Sequence, residues 1–166
     1  MCGPGGVVDY ANGTFYATLG LHACADPEGG MREWVTEVGS WNGTELAGSV
    51  AKDAGDYIYV SGSTSGGPSG AHDLGLYDVF VTKHDKEGQQ VWTKLVGTAE
   101  DDYAEGLVVD DANAVYVGVK QTSGSGMVVK LDSCGEQVWS ISVGPLAEES
   151  TMDLAHSAGF LYVSWK

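Results

Sequence analysis

The chain has 166 residues, of which 25 are glycine, and it carries 8 Lys and Arg against 23 Asp and Glu, a net charge of −15. So acidic a surface repels phosphate backbones and anionic lipid, which argues against nucleic acid and membrane surfaces as partners. Glycine exceeds its usual share of about 7%, and neither long 3.6-residue periodicity nor a run of 18 apolar residues is present. The chain is therefore predicted to be all-β, with many tight turns and no membrane span.

Four sequence features recur in one order along the chain and predict a repeat. The first is an aromatic-centred triplet, with tyrosines at Tyr16, Tyr59, Tyr116 and Tyr162. The second is a D-x-x-G turn, which begins at Asp26, Asp85 and Asp132. The third is a tryptophan four or five residues after that turn's glycine, at Trp34, Trp92 and Trp139. The fourth is a Val-Gly pair, which ends at Gly39, Gly97 and Gly144.

Each feature has a physical role in a four-stranded antiparallel unit. The triplet is rich in β-forming residues, and the Asp of the turn hydrogen-bonds to the backbone while its Gly adopts positive φ. The tryptophan follows on the return strand and is expected to be buried between neighbouring sheets. In the third unit the predicted strands are Ala104–Asp110, Ala114–Gln121, Gly126–Asp132 and Gln137–Val143.

The repeats divide a single domain, 1–166, into units at approximately 6–38, 46–96, 104–143 and 151–166. The last unit holds only two strands, so the prediction is about three and a half blades of a β-propeller. Propellers close with four to eight blades, and unpaired strand edges are generally avoided. We therefore expect either a native polypeptide that continues past Lys166 or a partner that supplies the remaining blades.

Several segments resemble known propeller repeats. Residues 56–64, 78–83, 101–110 and 114–118 resemble the seven-bladed β-propeller (SBBP-like) repeat, and residues 129–139 are similar to the quinoprotein-like (PQQ-type) repeat. The resemblance implies the propeller fold. It leaves the function open, because such repeats serve in scaffolds, adhesins, outer-membrane assembly factors and enzymes.

A Gly/Ser-rich insertion, 63–77, separates the second and third strands of the second unit. An insertion in one repeat places a loop on one face, often a binding face, although this composition is equally typical of a mobile linker. Within it His72, Asp73 and Tyr77 are candidate binding residues. Trp41 is not one of the repeated tryptophans and is a further candidate for an exposed binding contact.

An acidic cluster at Asp101, Asp102 and Glu105 precedes and enters the third unit. Neighbouring carboxylates can hold Ca²⁺, so calcium is one hypothesis, but the spacing does not match an EF-hand loop. In the alternative interpretation Asp102 ties the link through backbone hydrogen bonds. Glu148 and Glu149 occupy the matching link of the next unit, which favours a structural role in every blade.

The remaining motifs predict no enzyme and no bound cofactor. The four histidines lack metal-binding spacing, and no nucleophile elbow or phosphate loop is present. Two NxT sequons, at Asn12 and Asn42, favour an extracellular or organelle-lumenal location over the cytoplasm, although Asn-Gly is also a hairpin turn pair. No signal peptide is visible, and whether Cys2 and Cys24 pair is left open.

The sequence thus favours a non-catalytic scaffold for protein–protein interaction, such as an accessory subunit of a larger complex. The protein partner would bind at the open blade edge or at the loop 63–77. The alternatives are a carbohydrate-binding, adhesive cell-surface module and a fragment of a quinoprotein-like enzyme.

Overall fold

A computed structural model describes residues 7–11, 14–19, 36–38, 43–66, 77–146 and 150–165, with only the backbone of those before residue 43. All of the described segments are strands and their connections, which confirms the all-β prediction. No helix in these segments could cross a membrane. The strands are β1 (Val7–Ala11), β2 (Thr14–Leu19), β3 (Thr36–Val38), β4 (Glu45–Lys52), β5 (Ile58–Thr64), β6 (Asp78–His84), β7 (Gln90–Val96), β8 (Asp102–Val109), β9 (Val115–Gln121), β10 (Ser125–Leu131), β11 (Gln137–Pro145), β12 (Met152–Ser157) and β13 (Phe160–Trp165).

The strands form four successive antiparallel sheets. Sheets 2 (β4–β7) and 3 (β8–β11) each contain four strands in chain order, whereas the described part of sheet 1 contains β1–β3 and that of sheet 4 contains β12 and β13. The four-stranded antiparallel unit is thus confirmed for the two central repeats. In the first unit Val38 lies on the strand that pairs directly with β2. The repeat predicted that Val38 lies on the fourth strand of the first unit, which the third strand would separate from β2.

Four turns within sheets 2 and 3 share one hydrogen-bonding arrangement. They begin at Asp53, Asp85, Asp110 and Asp132. In each, one carboxylate oxygen accepts hydrogen bonds of 2.8–3.0 Å from the amides two and four residues later. The fourth residue of each turn has positive φ, at Asp56, Gly88, Asn113 and Gly135. The D-x-x-G pattern predicted two of these turns, whereas Asp26 lies outside the described residues.

Two hydrophobic cores fill the spaces between successive sheets. Val81 of sheet 2 and Val117 of sheet 3 belong to the first core, and Val128 of sheet 3 and Leu154 of sheet 4 belong to the second. Sheet 3 therefore packs on both faces. A sheet buried in this way has near-continuous apolar strands, which explains runs such as VYVGV in β9.

The first strands of sheets 2, 3 and 4 lie side by side. β4 and β8 each contain a bulge, and each bulge includes a glycine that faces the next sheet. A Cβ at Gly48 would lie 2.9 Å from Ala104 Cβ, and one at Gly106 would lie 3.0 Å from the Leu154 amide. These glycines therefore let consecutive sheets approach closely.

The inserted loop is shorter than the sequence predicted. Ser63 and Thr64, which were placed in it, are buried at the end of β5, where they pair with Val79 and Asp78. The Ser63 hydroxyl accepts a hydrogen bond of 2.8 Å from the Ala104 amide, so this residue joins sheets 2 and 3. Small polar residues such as these are typical of loops, but here their side chains fill the narrow space between two sheets.

Candidate interaction surface

Trp92, on β7, lies between sheets 2 and 3. Its ring meets Tyr59 edge-on with the centroids 6.0 Å apart, and its Nε1–H donates to the Ser133 carbonyl at 3.1 Å. A Cβ at Gly135 would lie only 3.0 Å from the indole, so the β10–β11 turn closes tightly over this side chain. Beside it Lys94 forms an ion pair with Glu136. The outer strands of sheet 3 thus cover the outer part of sheet 2.

Trp139 holds the corresponding position in sheet 3. It contacts Tyr116 with the ring centroids 5.9 Å apart, as Trp92 contacts Tyr59. No described strand of sheet 4 lies over Trp139, because the described part of that sheet contains β12 and β13 alone. Trp139 is therefore 37% exposed and Ile141, two residues on, is 57% exposed. Among the described residues, the expectation that Trp139 is buried between sheets is not met.

Strand β13 exposes further aromatic residues at the edge of sheet 4. It pairs with β12, whereas the equivalent strands β5 and β9 each pair with neighbours on both sides. The exposed fractions are 67% for Phe160, 56% for Tyr162 and 52% for Trp165. Tyr162 is the fourth of the repeated tyrosines. Its counterparts Tyr59 and Tyr116 are buried in the cores between successive sheets, whereas no described sheet packs on the face of sheet 4 that carries Tyr162.

We call Trp139, Ile141 and Trp165 the outer surface; Phe160 and Tyr162 lie on the opposite face of β13 from Leu161 and Val163, which pack against the second core. Exposed aromatic residues beside an unpaired strand combine apolar contact area with free backbone hydrogen-bonding groups. Tyrosine and tryptophan are enriched at protein interfaces, where their apolar rings are buried and their polar atoms find partners. The outer surface is thus suited to bind a polypeptide.

Among the binding residues predicted from sequence, Tyr77 is described and Trp41, His72 and Asp73 lie outside the described segments. Tyr77 stacks on Tyr103 with the ring centroids 5.5 Å apart. Its amide donates to the Asp101 carboxylate, and its carbonyl accepts from the Asp102 amide. Tyr77 therefore joins the end of the insertion to the link between sheets 2 and 3.

Asp102 is fully buried in that link. Its Oδ2 accepts hydrogen bonds from the amide of Thr98 at 2.6 Å and from the Thr98 hydroxyl at 3.1 Å. Burial raises the pKa of Asp102 above its usual value, and the charge of Asp78 adds to this rise, against the opposing effect of its hydrogen bonds. A Cβ at Gly97 would lie 2.7 Å and 2.8 Å from carboxylate oxygens of Asp78 and Asp102, so glycine is required there.

The acidic cluster does not converge on one point. The Asp101 carboxylate accepts a hydrogen bond from Tyr77, that of Asp102 from Thr98, and that of Glu105 from the Met152 amide in sheet 4. Within the described segments no three His, Cys, Asp or Glu side chains are grouped as a metal site. Calcium at Asp101, Asp102 and Glu105 therefore stays a hypothesis from the sequence.

A cavity of about 760 Å³ opens beside β8, β9 and the turn that follows β9, lined by Tyr103, Glu105, Lys120 and Leu146 among others. Its two charged groups bond to the backbone of the sheet 4 region. Lys120 Nζ donates to the Ser150 carbonyl at 2.9 Å, and Glu105 Oε2 accepts from Met152 at 3.3 Å. These contacts hold the last sheet in place, and the mixed lining does not define a ligand.

The sequence analysis missed an Asp–Tyr pair in each central sheet. Asp53 Oδ2 accepts from the Tyr59 hydroxyl at 3.0 Å, and Asp110 Oδ2 accepts from the Tyr116 hydroxyl at 2.9 Å. Burial, followed by the bond to Asp53, raises the pKa of Tyr59 well above its usual value. The sequence signal for this pair is an aspartate six residues before the tyrosine of the repeated aromatic triplet.

At Asp110 the hydrogen bonds of the turn favour the ionised carboxylate. Burial acts to raise its pKa, but hydrogen bonds from the Ala114 amide, the Tyr116 hydroxyl and the Ala112 amide outweigh it, so the pKa lies below its usual value. Lys130 lies 3.8 Å away and adds to the lowering. The described Asp110 carboxylate thus works as a structural acceptor.

Comparison with known proteins found no family model that matches the chain and no relative among curated proteins.

Proposed function

We propose that the chain is a non-catalytic scaffold of the β-propeller type, whose outer surface binds another protein. Successive sheets that pack through their first strands are what blades around a common axis require. The equivalent bulge glycines Gly48 and Gly106 and the cross-sheet bonds of Ser63 and Lys120 recur from one sheet junction to the next. This recurrence supports the propeller assignment.

The observation that carries the proposed function is the exposure of the outer surface. Trp139 has a covered counterpart, Trp92, one sheet earlier, where the next residue but one, Lys94, forms an ion pair with Glu136 of sheet 3. An exposed apolar patch at a strand edge is a binding site or an aggregation hazard, and a chain of net charge −15 is otherwise well solvated. A protein partner that covers this patch resolves the exposure.

The test is co-purification of the tagged chain from its source, with two matched variants. Ile141→Asp places a charge in the outer surface, whereas Val91→Asp places one at an exposed apolar residue of β7, outside that surface. We expect a stoichiometric partner with the wild type and with Val91→Asp, and its loss with Ile141→Asp. Equal recovery of the partner with both variants, or an unaccompanied monomer in every case, contradicts the proposal.

A further inference from the structure

We infer that Asp78 and Asp102 share one proton, and that the loss of this proton as the pH rises loosens the link between sheets 2 and 3. Asp78 is the first residue of β6, and Asp102 is the first residue of β8, where the link 97–101 ends. Neither residue belongs to the outer surface, so this pH-sensitive device works without a protein partner.

Both carboxyls border one narrow gap beside Gly97. A Cβ at this position would lie 2.7 Å from Asp78 Oδ1 and 2.8 Å from Asp102 Oδ2, so a single point lies close to both groups. Asp78 is 2% exposed and Asp102 is fully buried. Two ionised carboxylates at one buried gap repel each other strongly, because water does not screen their charges there.

The hydrogen bonds of Asp102 leave one of its oxygens for a proton. Its Oδ2 accepts from the amide and the hydroxyl of Thr98, at 2.6 Å and 3.1 Å. Its Oδ1 is buried and has no hydrogen-bond partner among the described residues. A buried acceptor without a donor is costly, whereas a protonated Oδ1 becomes a donor itself. Asp78 supplies a carboxylate acceptor at the same gap.

The groups around Asp102 favour a proton over its full ionisation. Burial is the largest influence and raises the pKa of Asp102. Hydrogen bonding by Thr98 and Gln121 opposes this rise, although the Gln121 amide donates at 2.9 Å to the Thr98 hydroxyl, and the charge of Asp78 adds to it. None of these described neighbours is a cation, so a proton is the charge that compensates the pair.

The other titratable groups nearby, on each element around the pair, contact different partners. Those groups are Glu45 on β4, Glu100 and Asp101 in the link, Tyr77 before β6, Tyr103 on β8 and Lys120 on β9. Lys120 donates to the Ser150 carbonyl, Asp101 accepts from the Tyr77 amide, and the two tyrosines stack on each other. The three acids of this set add negative charge, which disfavours a second ionised carboxylate in the pair.

Loss of the proton acts on the contacts that close the link. The Asp102 carboxylate holds Thr98, and the Asp102 amide donates to the Tyr77 carbonyl at 2.8 Å. Repulsion from Asp78 weakens both contacts at once. The stabilisation from the shared proton is complete below the unfolded Asp pKa of about 3.9, and it is lost as the pH rises through the raised pKa of the pair.

The first experiment is a ¹³C NMR titration of the aspartate carboxyls in the full chain, for the wild type, Asp78→Asn and Asp101→Asn. We expect the wild-type pair to show two apparent pKa values, one of them well above the usual value of about 3.9. Asp78→Asn should lower the pKa of Asp102 by about one pH unit or more, because a coupled like charge is removed. Asp101→Asn is the matched control and should lower it less, since that carboxylate bonds to Tyr77.

The second experiment follows the amide exchange of Thr98 and Asp102 in the same samples, with protection expressed relative to the unstructured chain at each pH. In the wild type we expect protection to fall as the pH passes the upper pKa of the pair. The fall should be about tenfold for each pH unit between that pKa and the pKa in the opened link. Asp78→Asn should show a smaller fall.

A raised Asp102 pKa that is equal in the wild type and Asp78→Asn overturns the shared proton, because burial alone then explains it. An upper titration that disappears in millimolar CaCl₂ also overturns it, because the gap then takes a cation. Protection of Thr98 and Asp102 that is constant with pH overturns the loosening of the link. If Asp78→Asn does not fold, ordinary pKa values for both wild-type carboxyls decide against the pair.

Discussion

Trp92 and Trp139 hold one position of the repeat in different surroundings. Trp92 is enclosed by Tyr59 and the turn at Gly135, so Trp92→Ala leaves a cavity and should lower the free energy of unfolding by about 3–5 kcal/mol. Trp139→Ala should cost less, about 1–2 kcal/mol, because the side chain is 37% exposed and no described turn closes over it. Urea unfolding of the two variants gives the comparison, and equal losses would contradict the assignment of Trp92 to a sheet junction.

Asp102 gives a prediction about pH. The pKa of Asp102 is higher in the folded protein than in the unfolded chain. Its contribution to the free energy of unfolding is therefore complete at pH values below the unfolded pKa of about 4, and is lost as the pH rises through the folded pKa. Asp102→Asn keeps an acceptor for Thr98 without the buried charge. The variant should therefore lose stability relative to wild type at low pH and recover or exceed it near pH 7.

The control for Asp102→Asn is Asp111→Asn at an exposed turn position. Both variants and the wild type are unfolded in urea at several pH values between about 3 and 7, a range that brackets the unfolded Asp pKa. A difference between Asp102→Asn and wild type that stays constant with pH would refute the raised pKa.

At the scale of the element, the turn aspartates differ in what they hold. Asp110 accepts hydrogen bonds from two amides and the Tyr116 hydroxyl, whereas Asp132, also partly buried, accepts them from two amides. Asp110→Ala should therefore cost about 2–3 kcal/mol and Asp132→Ala about 1 kcal/mol. Thermal or urea unfolding measures both, and a larger loss for Asp132→Ala would show that the tyrosine bond contributes nothing.

Strands and turns were predictable because their signals are local. The Asp at the start of a turn and the glycine at positive φ act within five residues, and β9–β11 begin and end within two residues of the predicted bounds. Ser63 and Thr64 were assigned wrongly because Gly/Ser composition does not distinguish a loop from a tight strand packed against another sheet. Asp102 was grouped with its neighbours in sequence, but the strand register buries it and directs Asp101 elsewhere.

At the scale of the whole molecule, burial depends on which sheet follows. The repeat identified Trp139 and Tyr162 as core positions, and within the described segments both are exposed. Trp139 is exposed because the described part of sheet 4 has no outer strands, and Tyr162 because no described sheet packs on its face of sheet 4. No local pattern carries that information, since it depends on the next unit and not on the residue. A comparison of the junction between sheets 2 and 3, where Trp92 is covered, with that between sheets 3 and 4, where Trp139 is not, identifies the surface that we propose as the binding site.

Hydroxyl-radical footprinting of the chain, in its native assembly and purified alone, tests that surface most directly. Coverage by a polypeptide should lower the oxidation of Trp139, Ile141 and Trp165 several-fold in the assembly, while exposed Val91 reacts equally in both samples. Equal oxidation of all four residues in the two samples would mean that the outer surface faces solvent in the native protein, and the proposed binding site would be wrong.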